Sequence, residues 1–447
     1  MAVTHKQISV SQLQCGMYVS DLDRPWCQTP FPLQGFYVRS DDDIKAIASY
    51  CKSVTVDVSL DRSSFNYELL ELDESGSNQK NKSLVQGAPS QVFVQERKNA
   101  DNAQSLRIKN PIQYDVSSSL KKEVKVAKVL HTKVAEVLSG IAHKIREGKT
   151  FSIAETEQVA AEMADSVIRN PDAMVWLSRV HLRDTHSFNH GINASIWSLV
   201  FGRHLGLEKS LLTTLASGVL LSQVGKSRLP DHIINKAGQL DQTEFEEYKE
   251  YVNYGVEILE QTPGVSPQEL NVVRCHRERH NGTGYPNALT GDQIPLLAKI
   301  AGLVDAYQEL IEPRAGVDPM TPAQAVAQLY EARNIEFQEV LVEKFIQAVG
   351  VYPTGTVVEL TTDEVGIVLS HNPKRRLWPK VMVVLDREKQ PLKSTRVVDL
   401  LDYNEQERKS ETVHIQGSLP YGAYDVDPAN YSVTGGSSRW NLRSLIG

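Results

Sequence analysis

Apolar residues recur at three- and four-residue steps through most of the chain between residues 116 and 350. This spacing predicts amphipathic or buried helices, because residues three and four apart lie on one face of a helix. The clearest runs are KEVKVAKVLHTKVAEVLSGIAHKI, AETEQVAAEMADSVI, GINASIWSLVFGRHLG, LLTTLASGVLLSQVG, EFEEYKEYVNYGVEILEQ and AVAQLYEA. The middle of the chain is therefore predicted to be helical throughout.

Both ends of the chain alternate apolar and polar residues, which predicts strands. Near the start these runs are ISVSQL, GMYVSDL and SVTVDVSL, with DDDIKAIASYC as a helix between them; near the end they are TGTVVELTT, VGIVLSH and VMVVLD. The predicted fold class is α+β multidomain, with an all-α core between two small modules. The predicted segments are an α/β module (1–71), a flexible polar linker (72–115), a helical lead-in (116–170), the core (171–350), a β tail (351–403) and a polar, irregular end (404–447).

Composition excludes several classes of protein. The chain has 447 residues, 23% of them charged, and a formal net charge of −7, so nothing global points to nucleic acid or an anionic membrane. Four scattered cysteines without a CxxC pair argue against a disulfide framework and favour the reducing cytoplasm. The first residues lack the apolar centre of a signal peptide, and no apolar run is long enough to predict a membrane span.

One run carries most of the functional information. HRERHNGTGYP, at residues 276–286, resembles the HHExxDGxGYP signature of HD-GYP domains, bacterial phosphodiesterases that hydrolyse cyclic di-GMP. DTHSFNH, LLSQVGKSRLPDHIINKAGQL, EFEEYKEYVNYGVEIL and LAKIAGLVDAYQEL resemble further segments of that family, in the same order, over residues 175–350. The runs before and after also resemble the family's N-terminal domain and β tail. The resemblance implies an HD-superfamily helical core.

The family binds two or three metal ions through seven His and Asp positions, and this chain departs from that pattern. The resemblance leaves His190, His276 and Asp305 as residual ligands and puts Ser222, Gln223, Tyr251 and Arg277 at replaced positions. Serine, glutamine and neutral tyrosine are poor ligands, and arginine is a permanent cation. We therefore expect no dinuclear centre and no catalytic residues. At most one weakly bound iron or manganese ion is expected, with His186 as a candidate extra ligand, since it lies four residues before His190.

Phosphate-binding features remain in the sequence. Lys226 stands at the family's GK lysine and Arg314 at the arginine of its RPYR element, while Arg277 adds a third cation. One hypothesis is that these three hold a phosphodiester without cleaving it, since arginine's planar fork suits phosphate oxygens. The other is that Arg277 pairs with Asp305 and fills the site. The sequence leaves both open.

The GYP loop itself is retained as Gly282, Gly284, Tyr285 and Pro286. Its glycines permit a tight turn, which predicts that Tyr285 presents its ring at the loop tip. In the family this loop is implicated in binding diguanylate cyclases of the GGDEF type, so the resemblance implies such a partner. The alternative is a turn that only joins two helices.

Three functions follow as hypotheses. The leading one is a degenerate HD-GYP protein that binds cyclic di-GMP, a GGDEF-type partner, or both, without hydrolysis. The alternatives are an active phosphodiesterase with a rebuilt metal site that includes His186, and a scaffold without nucleotide affinity. The helices between residues 116 and 170 are compatible with a homodimer and equally with ordinary core helices.

Overall fold

A computed structural model of the protein describes residues 5–15, 17–24, 36–38, 41–57, 108, 110–180, 189–234, 236, 238–313, 317–372, 377–406 and 413–431. These residues belong to two compact units, Met1–Gln104 and Ser105–Gly447. In its described part, the first unit is a small sheet with a helix, and the second is a helical core with a second sheet. No helix among the described residues has the length and apolar composition that crossing a membrane requires.

The first unit has an antiparallel sheet in the order β1-β4-β2-β3. Its elements are β1 (His5–Ser9), β2 (Tyr18–Leu22), β3 (Phe36–Tyr37), α1 (Asp41–Tyr50) and β4 (Ser53–Asp57). Helix α1 packs on the sheet because Ile47 shares a buried cluster with Val19 and Val54. The predicted helix and the strands in GMYVSDL and SVTVDVSL are confirmed over their described residues. The prediction for ISVSQL was wrong beyond its first two residues, because β1 ends at Ser9, whose side chain caps a 3₁₀ turn (Val10–Gln12).

The second unit is built mainly of helices. They are α2 (Leu120–Arg146), α3 (Ala154–Arg169), α4 (Pro171–Val180), α5 (Asn189–Leu205), α6 (Lys209–Leu221), α7 (Asp231–Ile234), α8 (Gln242–Lys249), α9 (Tyr251–Glu260), α10 (Pro267–Cys275), α11 (Leu296–Ile311), α12 (Pro322–Glu331) and α13 (Glu339–Val349). Nearly every residue of α5 is buried, as expected for a helix that packs against α3, α6, α11 and α13. The predicted α+β class with a helical core is confirmed.

Local signals fix where these helices begin. Ser119 accepts a hydrogen bond from the backbone of Lys122 at the start of α2, and Ser266 forms a reciprocal capping box with Glu269 at the start of α10. One predicted helix differs, because the run EFEEYKEYVNYGVEILEQ divides into α8 and α9. The backbone N–H of Glu250 bonds to the carbonyl of Glu247 at 3.2 Å, so the chain tightens into a three-residue turn there.

The β tail forms an antiparallel sheet in the order β8-β7-β6-β5-β9. Its elements are β5 (Val357–Leu360), β6 (Val365–Ser370), β7 (Lys380–Leu385), β8 (Pro391–Asp399), α14 (Leu400–Gln406) and β9 (Ile415–Ser418). The three predicted strands are β5, β6 and β7, and they carry most of the buried cluster. The prediction of an irregular end was wrong for its described part, because β9 pairs with β5.

The end of the predicted linker is also ordered. The Ile112 N–H donates to the carbonyl of Gly206 at 2.9 Å, and the Tyr114 hydroxyl donates to the carbonyl of Leu207 at 2.9 Å. The linker prediction was therefore wrong for residues 110–115, which lie against the end of α5. Its remaining residues, except Ile108, lie outside the described part of the chain, and the other domain boundaries stay predictions.

Candidate functional site

The residues predicted for the site come from five helical segments that meet in the second unit. Their sources are α5 (His190), the end of α6 and the following 3₁₀ turn Val224–Arg228 (Ser222, Gln223, Lys226), α9 (Tyr251), the end of α10 (His276, Arg277) and α11 (Asp305). The structure brings His190, Gln223 and Arg277 within polar contact of Asp305. His276 is connected to Asp305 through two residues, because it bonds to Tyr251 and Tyr251 bonds to Arg277.

Two glycines allow these segments to approach so closely. A Cβ built on Gly225 would lie 1.9 Å from the carbonyl oxygen of Tyr251, and one on Gly302 would lie 2.6 Å from the carbonyl oxygen of His276. No side chain fits at either distance. These contacts press the 3₁₀ turn against α9 and the end of α10 against α11, which sets Tyr251 and His276 beside Asp305.

His190 bridges two carboxylates. Its Nε2 lies 2.8 Å from Asp305 Oδ1 and its Nδ1 lies 2.6 Å from Glu312 Oε2. Burial by itself lowers the pKa of His190, but Glu312 and Asp305 outweigh it and raise the pKa to about 10. His190 is therefore an imidazolium at neutral pH, and both ring nitrogens donate.

Asp305 is the most connected anion of the site. It is 2% exposed, and its Oδ2 lies 3.1 Å from Nε of Arg277. Burial opposes its ionisation, but Arg277 and His190 hold the pKa of Asp305 well below its ordinary value. The structure thus contains the ion pair of the second sequence hypothesis, in which Arg277 lies against Asp305.

Arg277 also has other partners. Its Nη1 donates to Glu309 Oε2 at 2.9 Å and its Nε donates to the Tyr251 hydroxyl at 2.8 Å. The Arg277 side chain is 7% exposed, whereas that of Glu309 is 35% exposed. Burial disfavours the charged guanidinium, but Asp305 and the other anions raise the pKa of Arg277 further above its ordinary value. The positive charge is permanent and mostly neutralised within the protein.

A chain of hydrogen bonds continues from Arg277 to His276. The Tyr251 hydroxyl accepts from Arg277 and lies 2.8 Å from His276 Nε2, while His276 Nδ1 lies 2.8 Å from the carbonyl oxygen of Val273. The carbonyl can only accept, so Nδ1 carries the proton and the Tyr251 hydroxyl donates to Nε2. Burial lowers the pKa of His276 to about 4, so the ring is neutral. Both of its nitrogens are engaged.

The pair that replaces the family's His-Asp is turned partly away from Asp305. Ser222 donates its hydroxyl back to the carbonyl of Val219 at 2.8 Å. Gln223 donates its amide to Ser222 at 3.0 Å and, at the longer distance of 3.4 Å, to Asp305. These two side chains supply only neutral contacts.

Lys226 is a cation of the site whose ammonium pairs with no carboxylate among the described residues. Its Nζ lies 5.4 Å above the ring centre of Tyr248 and 5.3 Å above that of Tyr251. Such contacts with aromatic faces stabilise the ammonium by about 0.5–2 kcal/mol without neutralising it. The side chain is half-buried, so its charge is available to a ligand.

The GYP loop is held by a buried carboxylate. Glu278 is 4% exposed and accepts the backbone N–H groups of Asn287 at 2.8 Å and Leu289 at 2.9 Å. A Cβ on Gly284 would lie 2.3 Å from the nitrogen of Arg279, so only glycine fits there. Gly282 has a φ of +78°, and the bond to Pro286 is cis. The loop is folded back onto the end of α10.

The position of Tyr285 corrects the sequence prediction. Its ring does not stand at the loop tip; it packs beside Tyr251 and Val252 and meets Phe245 edge-on at 6.4 Å. Burial raises the pKa of Tyr285 to about 12. The prediction rested on the tight turn that the glycines permit, but the Glu278 bonds hold the loop against the end of α10. Exposed loop positions include Asn281, Thr283, Asn287 and Ala288.

Two predicted residues lie outside the described part of the chain. They are His186, the candidate extra ligand, and Arg314, the candidate phosphate contact. Their roles stay predictions.

Two carboxylates of the site were missed by the sequence prediction. Glu309 follows Asp305 by four residues on α11, and Glu312 follows it by seven at the C-cap, which places all three on one side of the helix. Glu312 stands just beyond the last helical residue and still faces His190. That spacing was the available signal, and it went unused because neither residue belongs to the family's ligand set.

Comparison with known proteins shows which domains and which relatives the chain resembles. A model described as "Domain of unknown function (DUF3391)" matches residues 5–156, and an HD domain model matches residues 177–337. A cyclic di-GMP phosphodiesterase of Pseudomonas aeruginosa is 28% identical over 423 residues, which are 94% of this chain and 93% of that protein. The chain therefore contains an HD domain, and relatives that it resembles are named as cyclic dinucleotide phosphodiesterases.

Other matches cover less or are more distant. A 3'3'-cGAMP-specific phosphodiesterase of Vibrio cholerae is 28% identical over 224 residues, which are 50% of this chain and 43% of that protein. A solved HD-GYP-type protein of Bdellovibrio bacteriovorus covers 77% of this chain and 98% of its own, with a TM-score of 0.44 and 13% identity.

HD-domain phosphodiesterases normally use divalent metals, and the residues around Asp305 do not fit a dinuclear centre of that kind. His276 has both ring nitrogens engaged, and the Arg277 guanidinium lies 3.1 Å from the carboxylate that would bind the metal. Within the described residues, no group of three or more His, Cys, Asp or Glu side chains is arranged to hold an ion. A cation there would meet a fixed positive charge.

Proposed function

We propose that this chain is an HD-GYP protein that acts in cyclic di-GMP signalling by binding the dinucleotide without hydrolysing it. The names of its relatives support a cyclic dinucleotide as the ligand class. The loss of hydrolysis is supported by one observation above all, the ion pair between Arg277 and Asp305.

The ion pair works against metal binding through charge. A divalent ion bound to Asp305 would lie about 4 Å from the guanidinium, and at an effective dielectric of about 20 the repulsion would be about 8 kcal/mol. That is comparable to the whole binding free energy of a micromolar ligand. The proposal therefore includes no dinuclear centre, and at most one weakly held iron or manganese ion.

The cations of the site also make it acceptable to an anion. Without metals, the carboxylates of Asp305, Glu309 and Glu312 would repel a phosphodiester. The cationic His190 and Arg277 cancel two of these three charges. Lys226 has no carboxylate partner among the described residues, and its charge brings the formal sum over these six groups to zero. Arg277 thus supplies charge that the metals once supplied, but it neutralises the site rather than binding phosphate directly.

Lys226 is the residue that we expect to contact the phosphate. Its ammonium is not consumed by a carboxylate within the described part of the chain, and it lies over the rings of Tyr248 and Tyr251. A charge-assisted hydrogen bond to a phosphate oxygen contributes about 1.5–3 kcal/mol, which is roughly tenfold or more in affinity.

Calorimetric titration of cyclic di-GMP tests this role. We expect Lys226→Met to weaken binding about tenfold or more. The matched control is Lys249→Met, which removes another lysine that lies over aromatic rings, those of Phe245 and Tyr285, and should change the affinity little. If the wild type does not bind cyclic di-GMP, the proposal is refuted and a nucleotide-independent scaffold is favoured. A parallel calorimetric titration with 3'3'-cGAMP measures the selectivity between the two dinucleotides.

Restoring the family's ligands tests the lost hydrolysis. The fourfold variant Ser222→His, Gln223→Asp, Tyr251→His and Arg277→His should bind manganese or iron and hydrolyse cyclic di-GMP. The control keeps Arg277 and carries only the other three changes, and it should stay inactive because the guanidinium remains beside Asp305. Equal activity in both variants would show that Arg277 is not the barrier. Circular dichroism checks that each variant is folded.

A further inference from the structure

Arg179, on α4, is a buried cation away from the candidate site. The residue is 9% exposed, and its Nε and Nη1 have no hydrogen-bond partner in the described part of the chain. Its stem is clamped by the β tail, because a Cβ on Gly355 would lie 2.7 Å from the Cβ of Arg179. The side chain is therefore held in place, and no carboxylate among the described residues pairs with its guanidinium.

A second arginine shows how unusual this is. Arg203, which is half-buried, donates from Nη2 to the carbonyl of Tyr114 at 2.6 Å and from Nε to the carbonyl of Ile168 at 3.3 Å. Its Nε and Nη2 are thus bonded to backbone carbonyls of the protein. Arg179 has no equivalent contacts among the described residues, and burial lowers its pKa.

Unpaired donors also lie beside Arg179, directly at Tyr307 and one side chain further away at Trp197. The Tyr307 hydroxyl interacts electrostatically with Arg179, is fully buried and has no partner among the described residues. Tyr307 meets Trp197 edge-on at 5.3 Å, and the indole N–H of Trp197 likewise has no partner there. Buried polar groups are nearly always paired, so a cluster of unpaired donors calls for an acceptor. The acceptor that also compensates a buried guanidinium is an anion.

We propose that Arg179, with the hydroxyl of Tyr307, forms a binding site for an oxyanion, the phosphate or carboxylate group of a small molecule. A guanidinium suits both groups because its planar N–H donors match their oxygens. Tyr307 follows Asp305 by two residues on α11, a rotation of about 200°, so this site lies on the other face of the helix. The site is thus separate from that of Arg277 and does not depend on the proposed function.

Anion-dependent thermal unfolding tests the site in the full-length protein. We expect inorganic phosphate or acetate, at equal ionic strength against chloride, to raise the Tm of the wild type by about 2 °C or more. Arg179→Met should lose that response, since it keeps the stem and removes the charge. Because phosphate also stabilises proteins by exclusion from their surface, only the difference between the two proteins counts. Comparing phosphate with acetate distinguishes the two oxyanions.

Two further variants keep the test decisive if Arg179→Met fails to fold. Tyr307→Phe removes only the hydroxyl and should weaken calorimetric binding of phosphate or acetate several-fold. Arg203 already donates to backbone carbonyls, so Arg203→Met should leave anion binding unchanged. The proposal is overturned if the wild type binds neither anion, or if Arg179→Met and Tyr307→Phe respond as the wild type does.

Discussion

Removing the charge of Arg277 is the perturbation that tests the site most sharply. Arg277→Met keeps the length of the side chain but leaves Asp305, which is 2% exposed, facing the site without its guanidinium. At 3.1 Å and an effective dielectric of about 20, the lost attraction is about 5 kcal/mol. Breaking a buried ion pair from one side typically costs about 3–5 kcal/mol.

The expected loss lies in the lower part of that range. Asp305 keeps His190 as a partner after the substitution. The second ion pair of Arg277, with Glu309, adds no more than about 1 kcal/mol to the loss, because the Glu309 side chain is 35% exposed. We therefore expect the free energy of unfolding to fall by about 3–4 kcal/mol at pH 7. The loss should shrink in acid: the depressed pKa of Asp305 stabilises the fold above pH 3.8, and this stabilisation disappears as Asp305 is protonated.

Urea unfolding in the presence of EDTA, followed by tryptophan fluorescence, measures this loss. Trp176 and Trp197 are buried in the helical core and report on the second unit. The control is Arg274→Met, which removes an arginine whose pair with Glu260 is exposed at both ends and should cost less than about 1 kcal/mol. If Arg277→Met were no less stable than this control, the description of Arg277 as the counter-charge of Asp305 would be wrong.

Further predictions concern the surroundings of the site. The raised pKa of His190 stabilises the fold fully below pH 6.5 and progressively less towards about 10, so His190→Gln should flatten the alkaline limb of the stability–pH profile measured by urea unfolding. His276, whose pKa is lowered to about 4, stabilises the fold above pH 6.5 and loses that effect on acidification, so the wild type should be most stable near pH 6.5. Glu278→Gln should release the GYP loop, seen as faster hydrogen exchange at residues 287 and 289, because an amide has one acceptor oxygen for two N–H groups. Gly225→Ala should lower Tm severely or prevent folding, whereas Gly140→Ala, on an open helix face with nothing within 4 Å of the new Cβ, should leave Tm unchanged or slightly higher.

Periodicity predicted the helical core well because its helices bury one face or all of their surface. Helix α5 and strands β5 to β7 have continuous or regular apolar runs, and each was found where expected. Strand β8 was missed because it lies at the sheet edge and is largely exposed, so its residues lack an alternating pattern. Strand β9 is short and half-exposed, and its pairing with β5 depends on distant sequence.

The sequence identified the replaced ligands but could not foresee how they interact. Tyr251 and His276 are 25 residues apart, and only the close packing at Gly225 and Gly302 brings them into hydrogen bonding. The sequence was compatible with two partners for Arg277, a ligand phosphate or Asp305. A sequence shows that a residue is charged but does not show which group lies next to it in the fold. The structure resolves the contact, because Arg277 Nε lies 3.1 Å from Asp305 Oδ2.

The most direct measurement counts metal and turnover together. The purified wild type is reconstituted without oxygen in excess Fe(II) or Mn(II), desalted, analysed for metal by mass spectrometry, and incubated with cyclic di-GMP at equimolar concentration. With Arg277 seated against Asp305, we expect substantially less than one ion per chain, bound dinucleotide and no linear product. Two retained ions per chain together with pGpG or GMP would contradict the account.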